Sequence, residues 1–158
     1  MIRPTLEAET EELIAMAAGT GVFKPLELDV LRELLGDWHA GLTDDHIAIT
    51  IERDGRPVGF AYYAPTPMTV GTWHLYWLFV DKAIHARGIG GELLRHVEAD
   101  IAAAGGRVLL IETSGLPSYD LTRRFYAKHG YEEAATLRDF YCDGDDQVIF
   151  RKRLDTHP

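Results

Sequence analysis

The most informative stretch of the chain follows an apolar strand and reads Val80-Asp81-Lys82-Ala83-Ile84-His85-Ala86-Arg87-Gly88-Ile89-Gly90-Gly91-Glu92-Leu93-Leu94. An amphipathic helix is expected to begin within it, because apolar residues recur at helical spacing after Gly88. The first turn of a helix presents unpaired N–H groups and the positive end of the helix dipole. Gly88, Gly90 and Gly91 allow a ligand to approach the backbone closely, while Lys82 and Arg87 add positive charge. The stretch therefore predicts a loop that binds an anion such as a phosphate.

Two well-known phosphate loops do not match these glycines. A Walker loop continues with Gly-Lys-Ser/Thr, whereas Glu92 follows Gly91 here. A dinucleotide-binding fingerprint requires a third glycine where this chain has Leu93. The glycines alone also allow a simpler interpretation, in which they only let the strand and the helix pack closely.

Outward from this loop, the spacing of apolar residues predicts alternating strands and helices. On the N-terminal side we expect an edge strand at Ile2–Pro4, a helix from a Thr5 cap to about Ala18, a helix from Pro25 to about Gly41, and strands at His46–Arg53, Pro57 to about Ala64 and Gly71–Val80, with a hairpin turn at Asp54-Gly55. On the C-terminal side we expect a helix from Gly88 to about Ala104, a strand at Arg107–Thr113, a helix capped by Ser118 or Asp120 and ending near His129, and strands at Tyr131–Cys142 and Gln147–Leu154. This order predicts the α/β class, with a mixed, mostly antiparallel sheet of about six to seven strands flanked by about four helices.

Length and composition indicate one globular domain spanning residues 1–158. The chain has 158 residues, 46% of them hydrophobic and 26% charged, without a repeat or a low-complexity linker. No apolar run reaches the ~20 residues of a membrane-spanning helix, and no secretory signal is visible, so we expect no membrane association. The single cysteine, Cys142, fits a reducing compartment, and we expect a cytoplasmic location.

Charge limits the classes of partner. Sixteen basic and 25 acidic residues give a formal net charge of −9, which disfavours nucleic-acid binding through the overall field. An anionic ligand must therefore be held by local groups, whereas a cationic partner is favoured. The seven histidines show no paired spacing typical of metal ligands, and we expect no metal site.

Two motifs point to one family. His85-Ala86-Arg87-Gly88-Ile89-Gly90 resembles the acyl-CoA signature Gln/Arg-x-x-Gly-x-Gly/Ala of the GNAT superfamily of N-acetyltransferases. The departure is His85, which stands where the signature has Gln or Arg and is fully charged only below about pH 6.5. Downstream, Phe125-Tyr126-Ala127-Lys128-His129-Gly130-Tyr131 resembles the superfamily's Phe/Leu-Tyr-x-x-x-Gly-Phe/Tyr segment.

The resemblance implies acetyl-CoA as co-substrate and direct attack of an amine on the thioester in a ternary complex. It assigns CoA binding to Leu78, Phe79, Val80, His85, Arg87, Gly88, Ile89, Gly90 and Gly91. It also implies that Tyr126 acts as the acid toward the leaving CoA thiolate, a role that suits a phenol with a pKa near 10. The alternative interpretation of Tyr126 is a core aromatic residue beside Phe125.

The general base has two candidates. Members of the superfamily that use a glutamate place it fourteen residues before the first signature glycine, a position that His74 occupies here. A histidine titrates near neutrality and suits this role, although an ordinary strand histidine is equally compatible with the pattern. Glu112, at the end of the following strand, is the rival as a base or as an anchor for a cationic amine; its alternative is a solvated carboxylate.

The acceptor is expected to be a cationic amine, carried by a small molecule or a peptide. By analogy with such folds, we also expect a homodimer through the aromatic final strands. A different class of function stays open, namely a non-catalytic module that binds or senses acyl-CoA. A purely structural domain, in which the glycines serve packing alone, is the third alternative.

Overall fold

The computed structural model describes residues 1–84 and 87–154. Its strands are β1 (Ile2–Pro4), β2 (Ile47–Arg53), β3 (Arg56–Pro65), β4 (Thr72–Val80), β5 (Val108–Ser114), β6 (Glu132–Cys142) and β7 (Asp145–Arg153). Its α-helices are α1 (Thr10–Gly19), α2 (Pro25–His39), α3 (Ile89–Ala103) and α4 (Asp120–Lys128), and short 3-10 turns lie at Glu7–Glu9, Lys82–Ile84 and Pro117–Tyr119. No helix in the described ranges combines the length and the apolar run that crossing a bilayer requires.

The strands form a seven-stranded sheet in the order β1-β2-β3-β4-β5-β7-β6. β4 and β5 run parallel, as expected for strands joined by a helical crossover through α3. β1–β2, β2–β3, β5–β7 and β6–β7 are antiparallel pairs. The predicted mixed, mostly antiparallel sheet with four helices is therefore confirmed.

The chain folds into two compact units, and the first comprises residues 1–64 and 77–97. Its core is an apolar cluster built by residues of α1, α2 and strands β2–β4: Leu13, Ile14, Met16, Ala17, Leu31, Leu35, Ala48, Phe60, Tyr62 and Phe79. The predicted hairpin turn at Asp54-Gly55 is confirmed, since both residues have a positive φ, 53° and 75°, as a two-residue type I′ turn requires.

The second unit comprises residues 65–76 and 98–154 of the described chain. Its buried apolar side chains come from β4, β5, β7, α3 and α4, and include Leu75, Ile101, Leu109, Ile111, Tyr126 and Phe150. There is no room for a side chain at Gly106, because a Cβ atom there would lie 2.2 Å from Ile101 Cγ2 and 3.0 Å from Trp73 Cδ1. The assignment of residues 1–158 to a single domain stays a prediction.

Two predicted helix caps are wrong. Thr5 does not cap a helix: its hydroxyl lies 2.9 Å from the Thr50 hydroxyl of β2, and the chain first makes the 3-10 turn Glu7–Glu9. α4 begins at Asp120 without a side-chain cap, because Ser118 is taken up in the 3-10 turn Pro117–Tyr119. In both places a local capping pattern was overridden by the surrounding structure.

Candidate functional site

The glycine loop lies in the first unit, directly after β4. The N–H of Asp81 donates to Val58 O on β3 (2.8 Å), and Asp81 Oδ1 accepts from the N–H of Ala83 (2.9 Å). These two hydrogen bonds turn the chain from the end of β4 into the 3-10 turn Lys82–Ile84. The sequence pattern of strand, loop and helix is thereby confirmed.

The first turn of α3 presents the donor groups that the sequence predicts. Gly88 has φ +77°, a left-handed conformation that favours glycine, and Glu92 N–H donates to Gly88 O (3.0 Å). By helix geometry, the N–H groups of Ile89, Gly90 and Gly91 have no acceptor within the helix. Arg87 is exposed beside this turn. His85 lies outside the described residues.

The end of β4 is firmly held within the first unit. The Phe79 ring is buried and packs against Phe60 and Phe23 at centroid distances of 5.2 and 6.0 Å. A Cβ atom at Gly59 would lie 3.3 Å from Phe79 O, so the glycine lets the two strands approach. Leu78 and Val80, the flanking candidates, are half-buried.

Tyr126 lies in the second unit, on α4. Its side chain is buried, with ring centroids of Phe125, Tyr131 and Phe150 at 5.3, 5.8 and 5.8 Å. Burial raises the pKa of the Tyr126 phenol above its usual value, so the hydroxyl stays protonated at neutral pH. Within the part of the chain that the structure describes, no hydrogen bond engages this hydroxyl. Tyr126 is thus a core aromatic residue and also a protonated donor without a partner among these residues.

A second unpartnered group lies on β5. Thr113 is buried, and within the described ranges its Oγ1 has no hydrogen-bond partner. Thr113 lies on the same face of the sheet as Ile111, and Ile111 pairs with Phe150 of β7. The ring of Phe150 in turn contacts the ring of Tyr126. Buried hydroxyls normally find a partner, so one left open is a group that a bound ligand can satisfy.

The two rival base candidates form one hydrogen-bonded pair in the second unit. His74 Nε2 lies 3.1 Å from Glu112 Oε1. The parallel register sets His74 opposite Leu110, and Glu112 lies two residues further along the same face of β5. The hydrogen bond to His74 is the largest influence on Glu112 and holds the pKa of its carboxyl below the usual range, against the opposing effect of burial. Glu112 is thus an exposed carboxylate near the end of β5 that is also hydrogen-bonded to His74.

Two further side chains complete this pair, and neither was recognised in the sequence. Thr66, in the loop after β3, places its Oγ1 2.6 Å from His74 Nδ1, and Gln147 on β7 donates from Nε2 to Glu112 Oε2 (3.0 Å). The Tyr76 ring stacks on the imidazole of His74, with centroids 5.4 Å apart and planes inclined by 13°. A β-strand period places Tyr76 on the face of His74, but nothing local in the sequence indicates Thr66 or Gln147.

No group of three or more His, Cys, Asp or Glu side chains arranged to hold a metal ion occurs among the described residues.

The candidate binding residues and the candidate catalytic residues belong to different units. The anion-binding candidates belong to the first, and Tyr126, His74 and Glu112 belong to the second.

Comparison with known proteins identifies the family. The acetyltransferase (GNAT) domain family matches residues 44–133. An uncharacterized N-acetyltransferase of Methanocaldococcus jannaschii is 33% identical over 123 residues, which cover 76% of this chain and 72% of the relative.

Solved structures agree with this assignment. A GNAT-family acetyltransferase structure from Desulfovibrio desulfuricans has a TM-score of 0.91 at 36% identity, covering 98% of this chain and 99% of the other. An aminoglycoside 6'-N-acetyltransferase in complex with coenzyme A shares the fold, with a TM-score of 0.77 at 17% identity over 100% of this chain and 99% of the other. The chain therefore belongs to the GNAT family of acetyltransferases and is an N-acetyltransferase that takes acetyl-CoA as co-substrate.

Proposed function

We propose that the chain transfers the acetyl group by direct attack of an amine on acetyl-CoA in a ternary complex, with Tyr126 as the acid and His74 as the base. The observation that carries this proposal is the hydrogen-bonded pair of His74 and Glu112. A primary amine is protonated at neutral pH and must lose a proton before it attacks the thioester. A histidine oriented by a carboxylate is suited to accept that proton.

Glu112 is the positioning residue of this pair rather than the base. Both of its carboxylate oxygens already accept hydrogen bonds, one from His74 and one from Gln147. A carboxylate whose pKa is lowered is also a weaker proton acceptor. Its Oε1 lies against His74 Nε2, so the carboxylate fixes the orientation of the imidazole.

Tyr126 supplies the proton for the leaving thiolate. Its hydroxyl stays protonated in its buried site, and no hydrogen bond within the described part of the chain engages it. Proton donation to a developing thiolate contributes on the order of 10²–10⁴-fold in rate. We expect the tetrahedral oxyanion to be held by a backbone N–H near Phe79 or Val80.

CoA binding is proposed for the end of β4 and the first turn of α3. Leu78, Phe79 and Val80 would offer backbone hydrogen bonds to the pantetheine arm. The N–H groups of Ile89, Gly90 and Gly91 suit the pyrophosphate, with Arg87 adding positive charge. His85 belongs to the same proposed set.

The acceptor is proposed to be a cationic amine on a small molecule or a peptide. The net charge of −9 and the exposed carboxylate of Glu112 favour a positively charged partner. The cytoplasmic location and the homodimer through β6 and β7 stay predictions; sedimentation of the purified chain tests the latter.

The proposed function is tested by CoA release from acetyl-CoA with a panel of primary amines, followed with a thiol reagent. We expect saturable release with at least one amine, and a loss of about 100-fold in Tyr126→Phe. Saturable acetyl-CoA binding in calorimetry, without release with any amine, would instead favour the non-catalytic acyl-CoA module. Absence of binding would leave only the structural role for the glycines.

A further inference from the structure

The imidazole of His74 has partners on both ring nitrogens. Nε2 lies 3.1 Å from Glu112 Oε1, and Nδ1 lies 2.6 Å from Thr66 Oγ1. A hydroxyl, an imidazole and a carboxylate thus form one continuous hydrogen-bonded chain within the second unit. Gln147 closes the far end of this chain on Glu112 Oε2.

The direction of each hydrogen bond follows from the ionised Glu112 carboxylate, which has no hydrogen to donate. An ionised Glu112 only accepts, so His74 Nε2 must carry a hydrogen and donate it. In the neutral ring, Nδ1 then bears the lone pair and accepts from the Thr66 hydroxyl. The basic nitrogen of His74 is consequently the one that is hydrogen-bonded to the Thr66 hydroxyl.

Thr66 is held in place by its own backbone. Its N–H donates to Thr72 O (2.8 Å), and its carbonyl accepts from Thr69 Oγ1 (2.8 Å). The residue is half-buried, and its hydroxyl faces His74 Nδ1. A fixed hydroxyl at 2.6 Å from a ring nitrogen has the geometry that proton transfer requires.

We propose that Thr66 is the residue that receives the proton of the acceptor amine and relays it to His74. The ammonium proton passes to Thr66 Oγ1 while the hydroxyl's own proton passes to His74 Nδ1, so the threonine ends unchanged, the amine is neutral and His74 is an imidazolium. Glu112 then faces the positive ring at Nε2, and the Tyr76 ring stacks on it. The inference deepens the proposed function and rests on it.

Three variants on one loop test the relay by kinetics with acetyl-CoA and whichever primary amine of the panel gives the fastest CoA release. Thr66→Val keeps the shape and removes the hydroxyl, and we expect kcat to fall about 30- to 100-fold with KM within about threefold. Thr66→Ser restores the hydroxyl and should stay within about fivefold of wild type. Thr69→Val removes a hydroxyl that donates to the Thr66 carbonyl but leaves the Thr66 hydroxyl present, so it measures the effect of loop geometry alone and should cost at most about fivefold.

Three kinetic results would overturn the relay. The first is a Thr66→Val enzyme within about threefold of wild type while His74→Ala is strongly impaired. The second is a Thr66→Ser enzyme as slow as Thr66→Val. The third is a loss of activity in Thr69→Val as large as that in Thr66→Val, because such a loss would show that loop geometry rather than the Thr66 hydroxyl is responsible. Absence of CoA release with every amine would count against the proposed function instead.

Nitrogen-15 NMR of the histidine rings gives a readout that does not depend on turnover. In neutral wild-type protein, His74 should carry its hydrogen on Nε2, and the Nδ1 resonance should move downfield in Thr66→Val as its hydrogen bond is lost. A wild-type ring protonated on Nδ1, or an Nδ1 resonance that does not respond to Thr66→Val, would refute the relay even in an active enzyme.

Discussion

Two neighbouring tyrosines allow catalysis and stability to be separated. Tyr126 and Tyr131 are both buried, and their ring centroids lie 5.8 Å apart. The Tyr131 hydroxyl donates to Glu98 Oε2 (2.6 Å), whereas no described residue bonds to the Tyr126 hydroxyl. The same change, tyrosine to phenylalanine, therefore removes a structural hydrogen bond at one position and the proposed acid at the other.

For Tyr126→Phe we expect kcat to fall about 100-fold, equivalent to about 2.7 kcal/mol of transition-state stabilisation. Its free energy of unfolding should stay within about 1 kcal/mol of wild type, because no partner among the described residues is left unpaired. For Tyr131→Phe we expect a loss of about 2 kcal/mol, since a hydrogen bond to a charged group disappears. Lys152 Nζ still contacts both Glu98 oxygens at 3.0 and 3.1 Å, which limits the penalty.

The assay pairs CoA release, measured below the unfolding transition, with thermal unfolding of the same samples. A loss of about 2 kcal/mol corresponds to a Tm lower by roughly 4–8 °C in a chain of this size. A Tyr126→Phe enzyme that keeps more than about a third of wild-type kcat would rule out the acid role of this hydroxyl. A folded Tyr131→Phe enzyme that loses as much activity as Tyr126→Phe would rule it out equally.

Three further predictions concern glycines and the carboxylate. Gly106→Ala should lower the free energy of unfolding in urea by about 1–3 kcal/mol, because its Cβ would overlap Ile101; a loss below about 0.5 kcal/mol would contradict this packing. Gly88→Ala should cost about 1 kcal/mol at φ +77° and weaken acetyl-CoA binding in calorimetry, and unchanged affinity would exclude this turn from the CoA site. Glu112 has a folded pKa below its unfolded value near 4.5, so its stabilising effect is present above that pH and lost as pH falls through the folded pKa. The stability difference between wild type and Glu112→Gln should therefore shrink from about pH 7 to about pH 3, and a difference that grew would reverse the assigned pKa shift.

Most of the secondary structure follows from local pattern. Apolar periodicity and turn residues give every strand and α-helix to within a few residues, because each element buries one face or both. The caps failed for a non-local reason. The Thr5 hydroxyl meets Thr50, a residue of β2 distant in sequence, and no local rule anticipates that contact.

In the candidate site, too, local pattern predicted individual residues, whereas the contacts between them depend on residues distant in sequence. The resemblance pointed to His74 and the strand end pointed to Glu112, so the two were predicted as rivals; their pairing depends on the parallel register of β4 with β5. Thr66 reaches His74 only because the loop after β3 folds back on the start of β4, where Thr66 N–H meets Thr72 O. Such contacts are fixed by strand pairing, which a single sequence does not specify.

The outer strand β6 limits how this protein can associate with others. Leu137 of β6 pairs with Gln147 of β7, and the next paired residues are Cys142 and Asp145. Four residues of β6, 138–141, therefore lie opposite the single residue Asp146 of β7 and form a bulge. Asp139 sits there with φ +56°, and its N–H donates to the Asp146 side chain instead of a backbone carbonyl. A strand broken in this way offers no continuous row of donors and acceptors to a neighbouring sheet. Phe140 and Tyr141 stay exposed in the bulge, so two copies meeting at this edge would bury aromatic side chains rather than extend one sheet into the next.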